Sequence, residues 1–182
     1  METAVQNTAS SIVTLYAQPY DIEAKGFYFT SWEDFEAKAD KNLNSWGGKV
    51  EEYEFQFIDG EGSQELLDRV SLKDFFEIVE TWNSDDIKKI DLLAECVGWH
   101  YIGKDADEIK GNLDELIVYS DGYSYDCLGM EVMENTDPEL YGRLKDLHHY
   151  FDFERWMRDL TSGSSAVTFY RDGVYYFVEY LG

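Results

Sequence analysis

The stretch Leu147-His148-His149-Tyr150-Phe151-Asp152-Phe153-Glu154-Arg155-Trp156-Met157-Arg158-Asp159-Leu160 decides how the end of the chain folds. Phe153, Trp156, Met157 and Leu160 recur at three- and four-residue spacing, so they share one side of a helix, while Glu154, Arg155 and Arg158 fall on the other. Asp152 stands where an N-cap carboxylate accepts the unpaired N–H groups of a first turn, and Gly163 stands where such a helix stops. Beyond it the period drops to two. Val167–Tyr170, the turn Arg171-Asp172-Gly173 and Val174–Leu181 predict a closing hairpin, with Asp-Gly suited to a tight turn. A capped helix that leads into a hairpin makes this end of the chain α+β.

Working back from that stretch, the helical period dominates the middle of the chain. Asp137-Pro138 starts a helix lined by Leu140, Leu144 and Leu147, because the first helical position needs no N–H. Asp121 is a candidate cap for a helix over Gly122–Met133 with Tyr125, Leu128 and Val132 inward. Ala106–Leu116 reads as a short helix and turn carrying Ile109, Leu113 and Leu116, and Ile117-Val118-Tyr119 as a strand. Ser84 opens a helix with Ile87, Ile90, Leu93, Ala94 and Val97 inward, bracketed at its end by Gly98 and Gly103. Ser71 and Asp74 open another, striped by Leu72, Phe75, Phe76 and Val79.

Nearer the N-terminus the pattern mixes. Residues 1–11 read as a flexible lead into a strand over Ser11–Ala17, stopped at Pro19 because proline cannot donate to a ladder. Gly26–Phe29 is a second strand candidate. Ser31 caps a helix with Asp34 in a capping-box position and Trp32, Phe35 and Ala39 on one face. From Val50 to Ile58, Tyr53, Phe55 and Phe57 alternate with Glu52, Glu54 and Gln56, the pattern of a half-buried strand with an acidic outer face. The expected fold is therefore α+β, as an elongated chain of three small domains: α+β over 12–63, a helical bundle over 64–120, and α+β with the terminal hairpin over 121–182.

Apolar residues make up 44% and aromatics 16% of the 182, enough to bury a core. Against that stands a formal charge of −23 from 38 Asp+Glu and 15 Lys+Arg, whose self-repulsion disfavours compaction. Such a charge is unsuited to direct contact with nucleic acid or an anionic membrane, whose phosphates require Lys and Arg. It suits a basic partner. No run approaches the apolar length of a membrane span, and residues 1–11 carry no Lys or Arg of a signal peptide's leading region. Cys96 and Cys127 stand apart without a CxxC spacing, so reduced thiols and a cytoplasmic location are expected.

Catalytic chemistry finds little support. Cys96 and His100 would share a helix face at i, i+4, as metal ligands can, but no second Cys/His pair completes a site. Asp59-Gly60-Glu61-Gly62-Ser63 begins like a calcium loop, yet Gln64 replaces its glycine and Val70 its closing glutamate. There is no phosphate loop, GxSxG or Cys/His dyad motif. Acid pairs such as Asp85/Asp86, Asp107/Glu108 and Asp114/Glu115 are what so acidic a chain places on solvated faces. No catalytic residue, metal or cofactor is expected.

What remains is the acid itself. Glu33, Glu36 and Asp40; Glu52 and Glu54; Asp74, Glu77 and Glu80; Asp85, Asp86, Asp91 and Glu95; Asp107 and Glu108; and Asp114 and Glu115 all fall on outward faces between apolar positions. On a helix, side chains three or four apart stand about 5–6 Å from one another, near the spacing of successive phosphates on a nucleic-acid strand. These carboxylates are the expected partner-binding residues. Tyr150, Phe151, Phe153 and Trp156 are the expected core or subunit contact, since a base-stacking role beside Asp152 and Glu154 is electrostatically disfavoured.

Three blocks resemble the ArdA family of antirestriction proteins, DNA mimics carried by mobile genetic elements: Tyr20–Phe29 leading into the Trp32–Asp40 segment, Glu51–Phe55 through Asp59-Gly60-Glu61, and Tyr150–Leu160, which is similar to that family's signature before its terminal hairpin. The family's antirestriction motif would fall on about Leu140–Leu160, whereas the strand Glu54–Ile58 lacks the family's usual His-Asp and the helices between Leu66 and Met133 match in pattern alone. The resemblance implies three small domains, a homodimer curved like bent DNA, and inhibition without chemistry of type I restriction-modification enzymes by occupation of their DNA-binding groove. The alternatives are an acidic inhibitor of another DNA-binding target, such as a CRISPR effector, and an acidic adaptor for a basic nucleoid protein.

Overall fold

A computed structural model describes residues 12–144 and 147–182; the predicted lead, residues 1–11, lies outside the described residues. The fold is mixed α+β, with two antiparallel three-stranded sheets. The chain divides into two compact units, one of residues up to Lys88 with Gly103–Ile109, the other of Lys89–Ile102 with Lys110–Gly182.

In the first unit, β1 (Thr14–Pro19) lies between β2 (Phe27–Phe29) and β3 (Tyr53–Asp59). Leu15 and Ala17 are fully buried on one face of β1. Register places Leu15 between Phe29 and Phe57, and Ala17 between Phe27 and Phe55, so two rows of Phe–aliphatic–Phe cross the sheet. Onto these rows α1 (Trp32–Ala39) sets Phe35, its ring 5.1 Å from Phe29 and 5.2 Å from Phe55. α3 (Leu72–Thr81) adds Phe76, 5.9 Å from Phe29. Of the predicted face of α3, Phe75, Phe76 and Val79 are buried, joined by Ile78, while Leu72 is half-buried.

The structure corrects two local expectations and adds one helix. β1 begins at Thr14 rather than Ser11 and includes Pro19, whose missing N–H is harmless at the last ladder position, opposite Tyr53. A helix follows the acidic turn directly: α2 (Gln64–Arg69) is capped by Ser63 Oγ, which accepts the Leu66 N–H at 3.2 Å. Its Gln64 lies on the free edge of β3, accepting the Phe57 N–H at 2.7 Å and donating to the Phe55 carbonyl at 3.2 Å, so this edge is closed to further strands. Next, α4 (Ser84–Val97) is capped by Asn83, whose Oδ1 accepts the Asp86 N–H at 2.8 Å, while Ser84 Oγ donates to Glu61 at 2.5 Å. Glu61 thus serves the turn as a hydrogen-bond acceptor.

The second unit is built on the terminal hairpin. β6 (Val174–Tyr180) is the central strand, flanked by β4 (Leu116–Asp121), which follows α5 (Ala106–Asp114), and by β5 (Ala166–Arg171). Asp172 and Gly173 both take positive φ, 51° and 86°, which turns the chain with the twist of its strands. Across the sheet lie α6 (Tyr125–Thr136) and α8 (Phe153–Thr161), with α7 (Pro138–Leu144) beside α6. Leu128, Val132, Met157, Ala166 and Phe177 form the core, with Trp156 and Leu160 half-buried against it. α8 is capped by Asp152 Oδ1, which accepts the Arg155 N–H at 2.9 Å. α6, however, is capped by Ser124; Asp121 closes the preceding turn by accepting the Tyr123 and Ser124 N–H groups. Leu147, expected to line a helix with Leu140 and Leu144, is 55% exposed and follows the end of α7.

Candidate functional site: the outward carboxylates

Among the described residues no polar or charged side chain is buried. The carboxylates therefore stand outside a dry core, and they differ in what holds them. Glu33 and Glu36 are exposed on α1, Glu54 is exposed on β3 opposite Gln18, and Glu52 just before that strand. Glu77 and Glu80 are exposed on α3, Asp91 on α4, Asp107 on α5, and Asp114 and Glu115 at the end of α5. Asp74 and Asp86 are half-buried, and each serves a helix start: Asp74 pairs with the cap hydroxyl of Ser71, and Asp86 accepts from Asn83 Nδ2 at 2.8 Å.

Another group is partly neutralised within the chain. Asp40 lies 2.7 Å from Lys49, Glu108 2.7 Å from Lys104, and Asp85 4.0 Å from Lys88, while Glu95 pairs with Arg171. The bond from Lys49 holds the Asp40 carboxyl below its ordinary range and raises Lys49 in turn. Glu108 is lowered first by the Lys104 side chain and then by the Lys104 N–H, which it also accepts; Lys104 is raised by the same contact. Away from these residues, Asp21 is lowered by hydrogen bonds from Asn44 and from the Glu23 N–H.

The free carboxylates are thus Glu33, Glu36, Glu52, Glu54, Glu77, Glu80, Asp107, Asp114 and Glu115, none in an ion pair among the described residues. Chemically they offer full negative charges in water, held in position by apolar neighbours on the same elements. Sequence reasoning passed over other exposed carboxylates: Glu51, Glu65, Asp68, Asp126, Glu131 and Glu134. The helical period sets Glu131 and Glu134 away from the buried face formed by Leu128, Gly129, Val132 and Met133.

The aromatic quartet separates. Phe153 is buried at 3% exposure, Phe151 is half-buried with its ring 4.9 Å from Phe153, and Trp156 packs against the core. Tyr150 is 88% exposed and is the one member that faces water outright. Cys96 and His100 do not share a helix face, because α4 ends at Val97 and Gly98 turns the chain at φ 83°. The Cys96 thiol instead donates to the carbonyls of Ser165 and Val178, and burial pushes its pKa up. Among the described residues no group of three or more His, Cys, Asp and Glu side chains is arranged to hold a metal ion, and no helix is long and apolar enough to cross a membrane.

No protein-family model, curated protein or solved structure matches the chain.

Proposed function

We propose that the chain is a cytoplasmic DNA mimic of the ArdA antirestriction type, which acts as a homodimer and occupies the DNA-binding groove of type I restriction-modification enzymes. The observation that carries this reading is the separation of charge from core: the formal charge of the chain is −23, and among the described residues every charged side chain is half-buried or exposed. A chain that needed charge for solubility alone gains enough from a small excess. One that substitutes for a polyanion needs many carboxylates on fixed supports, and the capped helices and paired strands provide them. The three blocks similar to the ArdA family supply the choice of target.

Inhibition on this reading is equilibrium competition. The enzyme's Lys and Arg side chains bind carboxylates or phosphates as alternatives, so affinity falls steeply as salt rises. A purified type I enzyme, labelled DNA and the protein, titrated across a salt series, test it. Displacement of DNA that weakens with salt is the expected result; tight binding indifferent to both salt and added DNA refutes it. An acidic inhibitor of another DNA-binding target such as a CRISPR effector, or an adaptor for a basic nucleoid protein, would use the same surface. Affinity capture that returns one of those and no restriction subunit would select it.

A further inference from the structure

A groove of about 560 Å³ in the first unit combines two chemistries that the free carboxylates elsewhere do not. Its floor is aromatic. Trp32 and Phe35 come from α1, their rings 5.8 Å apart and inclined by 37°, and Tyr53 comes from the start of β3. α1 has no fully buried residue, so its apolar face is covered on the Phe35 side by the sheet and left partly open on the Trp32 side. Its rim carries three acids and one cation: Glu36 one turn beyond Trp32, Asp40 at the C-cap, Glu51 ahead of β3, and Lys49, which is paired to Asp40 and leaves the rim acidic on balance.

We propose that this groove is a docking site for an arginine side chain of a basic protein partner. A planar guanidinium can lie on an aromatic face while its edge meets carboxylates, often two N–H groups at once. Other occupants suit it poorly. Phosphate or carboxylate ligands meet Glu36 and Glu51, with Asp40 already paired to Lys49, and an apolar peptide would bury Glu36 and Glu51 unpaired. Lysine satisfies the rim but, being compact and strongly hydrated, gains less from the floor. The free protein already shows what the rim selects, since Lys49 reaches across to Asp40 at 2.7 Å. The identity of the partner rests on the DNA-mimic reading; the chemistry of the groove does not.

Two capped peptides, arginine alternating with glycine and lysine alternating with glycine, distinguish the cases when titrated into ¹⁵N-labelled full-length protein. The arginine peptide is expected to shift the Trp32 indole N–H and the Ala39 and Val50 amides saturably, and to bind roughly two- to fivefold more tightly than the lysine peptide, the ratio a partly exposed cation–π contact supports. Trp32→Leu should erase that ratio while the β1–β3 amide shifts remain those of the folded chain. Should Trp32→Leu fail to fold, Glu36→Gln with Glu51→Gln on the rim weakens both peptides, and Lys49→Met, which frees Asp40, strengthens both. Equal affinity for the two peptides, shifts spread over all acidic faces with no saturation in the groove, or rim variants without effect would overturn the proposal. If the groove selects arginine while a type I enzyme is not displaced from DNA, this proposal stands and the restriction target falls; displacement with an unresponsive groove does the reverse.

Discussion

Replacing carboxylates in two matched sets separates contact from mere charge. The first set, Glu33→Gln, Glu54→Gln, Glu77→Gln and Glu80→Gln, removes acids that have no internal cation among the described residues. The second, Asp40→Asn, Asp85→Asn, Glu95→Gln and Glu108→Gln, removes acids already paired to Lys49, Lys88, Arg171 and Lys104. Both sets change the net charge equally, so a partner drawn only by the overall field would respond equally. A partner that grips individual carboxylates would not, because the paired acids must first be released from their own cations. Removal of one solvent-exposed ion pair with the partner is expected to weaken binding roughly 1.4- to fivefold. Summed as independent sites, though Glu77 and Glu80 stand close enough on α3 to couple, the first quadruple should cost roughly fourfold to several-hundredfold and flatten the salt dependence by up to about 0.9 in slope per ion pair. The second should cost clearly less. Displacement of labelled DNA from a purified type I enzyme reads both. Equal weakening by the two sets, or complete loss of inhibition from one substitution in a chain that remains folded, would refute the assignment of the free acids as stand-ins for phosphate.

Three further predictions concern the scaffold. Gly129 lies in α6 where an added Cβ would stand 2.9 Å from Phe153 Cβ, whereas Gly111 in α5 has open space around it; Gly111→Ala should therefore stabilise by about 0.5–1 kcal/mol through helix propensity, and Gly129→Ala should destabilise by up to about 2 kcal/mol once overpacking is set against the same gain, with chemical denaturation checking that the signs are opposite. Phe153→Ala should cost about 3–5 kcal/mol, while Tyr150→Ala, at an 88% exposed position, should leave the melting temperature nearly unchanged and instead weaken self-association in sedimentation if this patch joins two copies. On pH, Asp21, Asp40 and Glu108 are lowered from ordinary values of 3.8, 3.8 and 4.5, so their contribution is present above those values and lost as pH falls through the lowered ones; Lys49 and Lys104 are raised from 10.5, so theirs is present below that and lost as pH rises through the raised ones. Thermal melts should show stability rising from neutral pH toward the pI near 4.2 as repulsion relaxes, then falling below it, and Asp40→Asn with Glu108→Gln should blunt the acid fall.

Local rules made much of this legible. The period of Leu72–Val79, the cap at Asp152 and the Asp-Gly turn each act within a few residues, and each stands as the sequence indicates. Where two polar residues competed for one cap, spacing alone did not choose: Asn83 prevailed over Ser84, and Ser124 over Asp121. α2 left little trace because six residues with Leu66 and Leu67 adjacent show no period. The pairing of acids was partly visible. Lys104 and Glu108 are four apart in sequence, across the start of α5, but Arg171 and Glu95 are joined only by the fold, and so are Trp32, Glu51 and Tyr53 in one groove. Ion pairs of that second kind decide which carboxylates are free, and so the candidate surface required the structure.

A chain with this much like charge has to hold together by means that do not draw on its polar groups. The rows Phe29–Leu15–Phe57 and Phe27–Ala17–Phe55, with Phe35 and Phe76 laid over them, do so in the first unit, as Phe177, Met157 and Leu128 do in the second. Burial of such side chains depends on apolar area, and no titrating group takes part in it. The outward carboxylates can then be added, removed or neutralised one at a time at small cost to the core. On the proposed DNA-mimic reading this is a physical advantage: the target could be changed by altering surface acids while the supports that space them stay as they are. It also explains why no single acid need be indispensable, whereas Phe153, which touches both Phe151 beside the helix cap and the close approach at Gly129, should be.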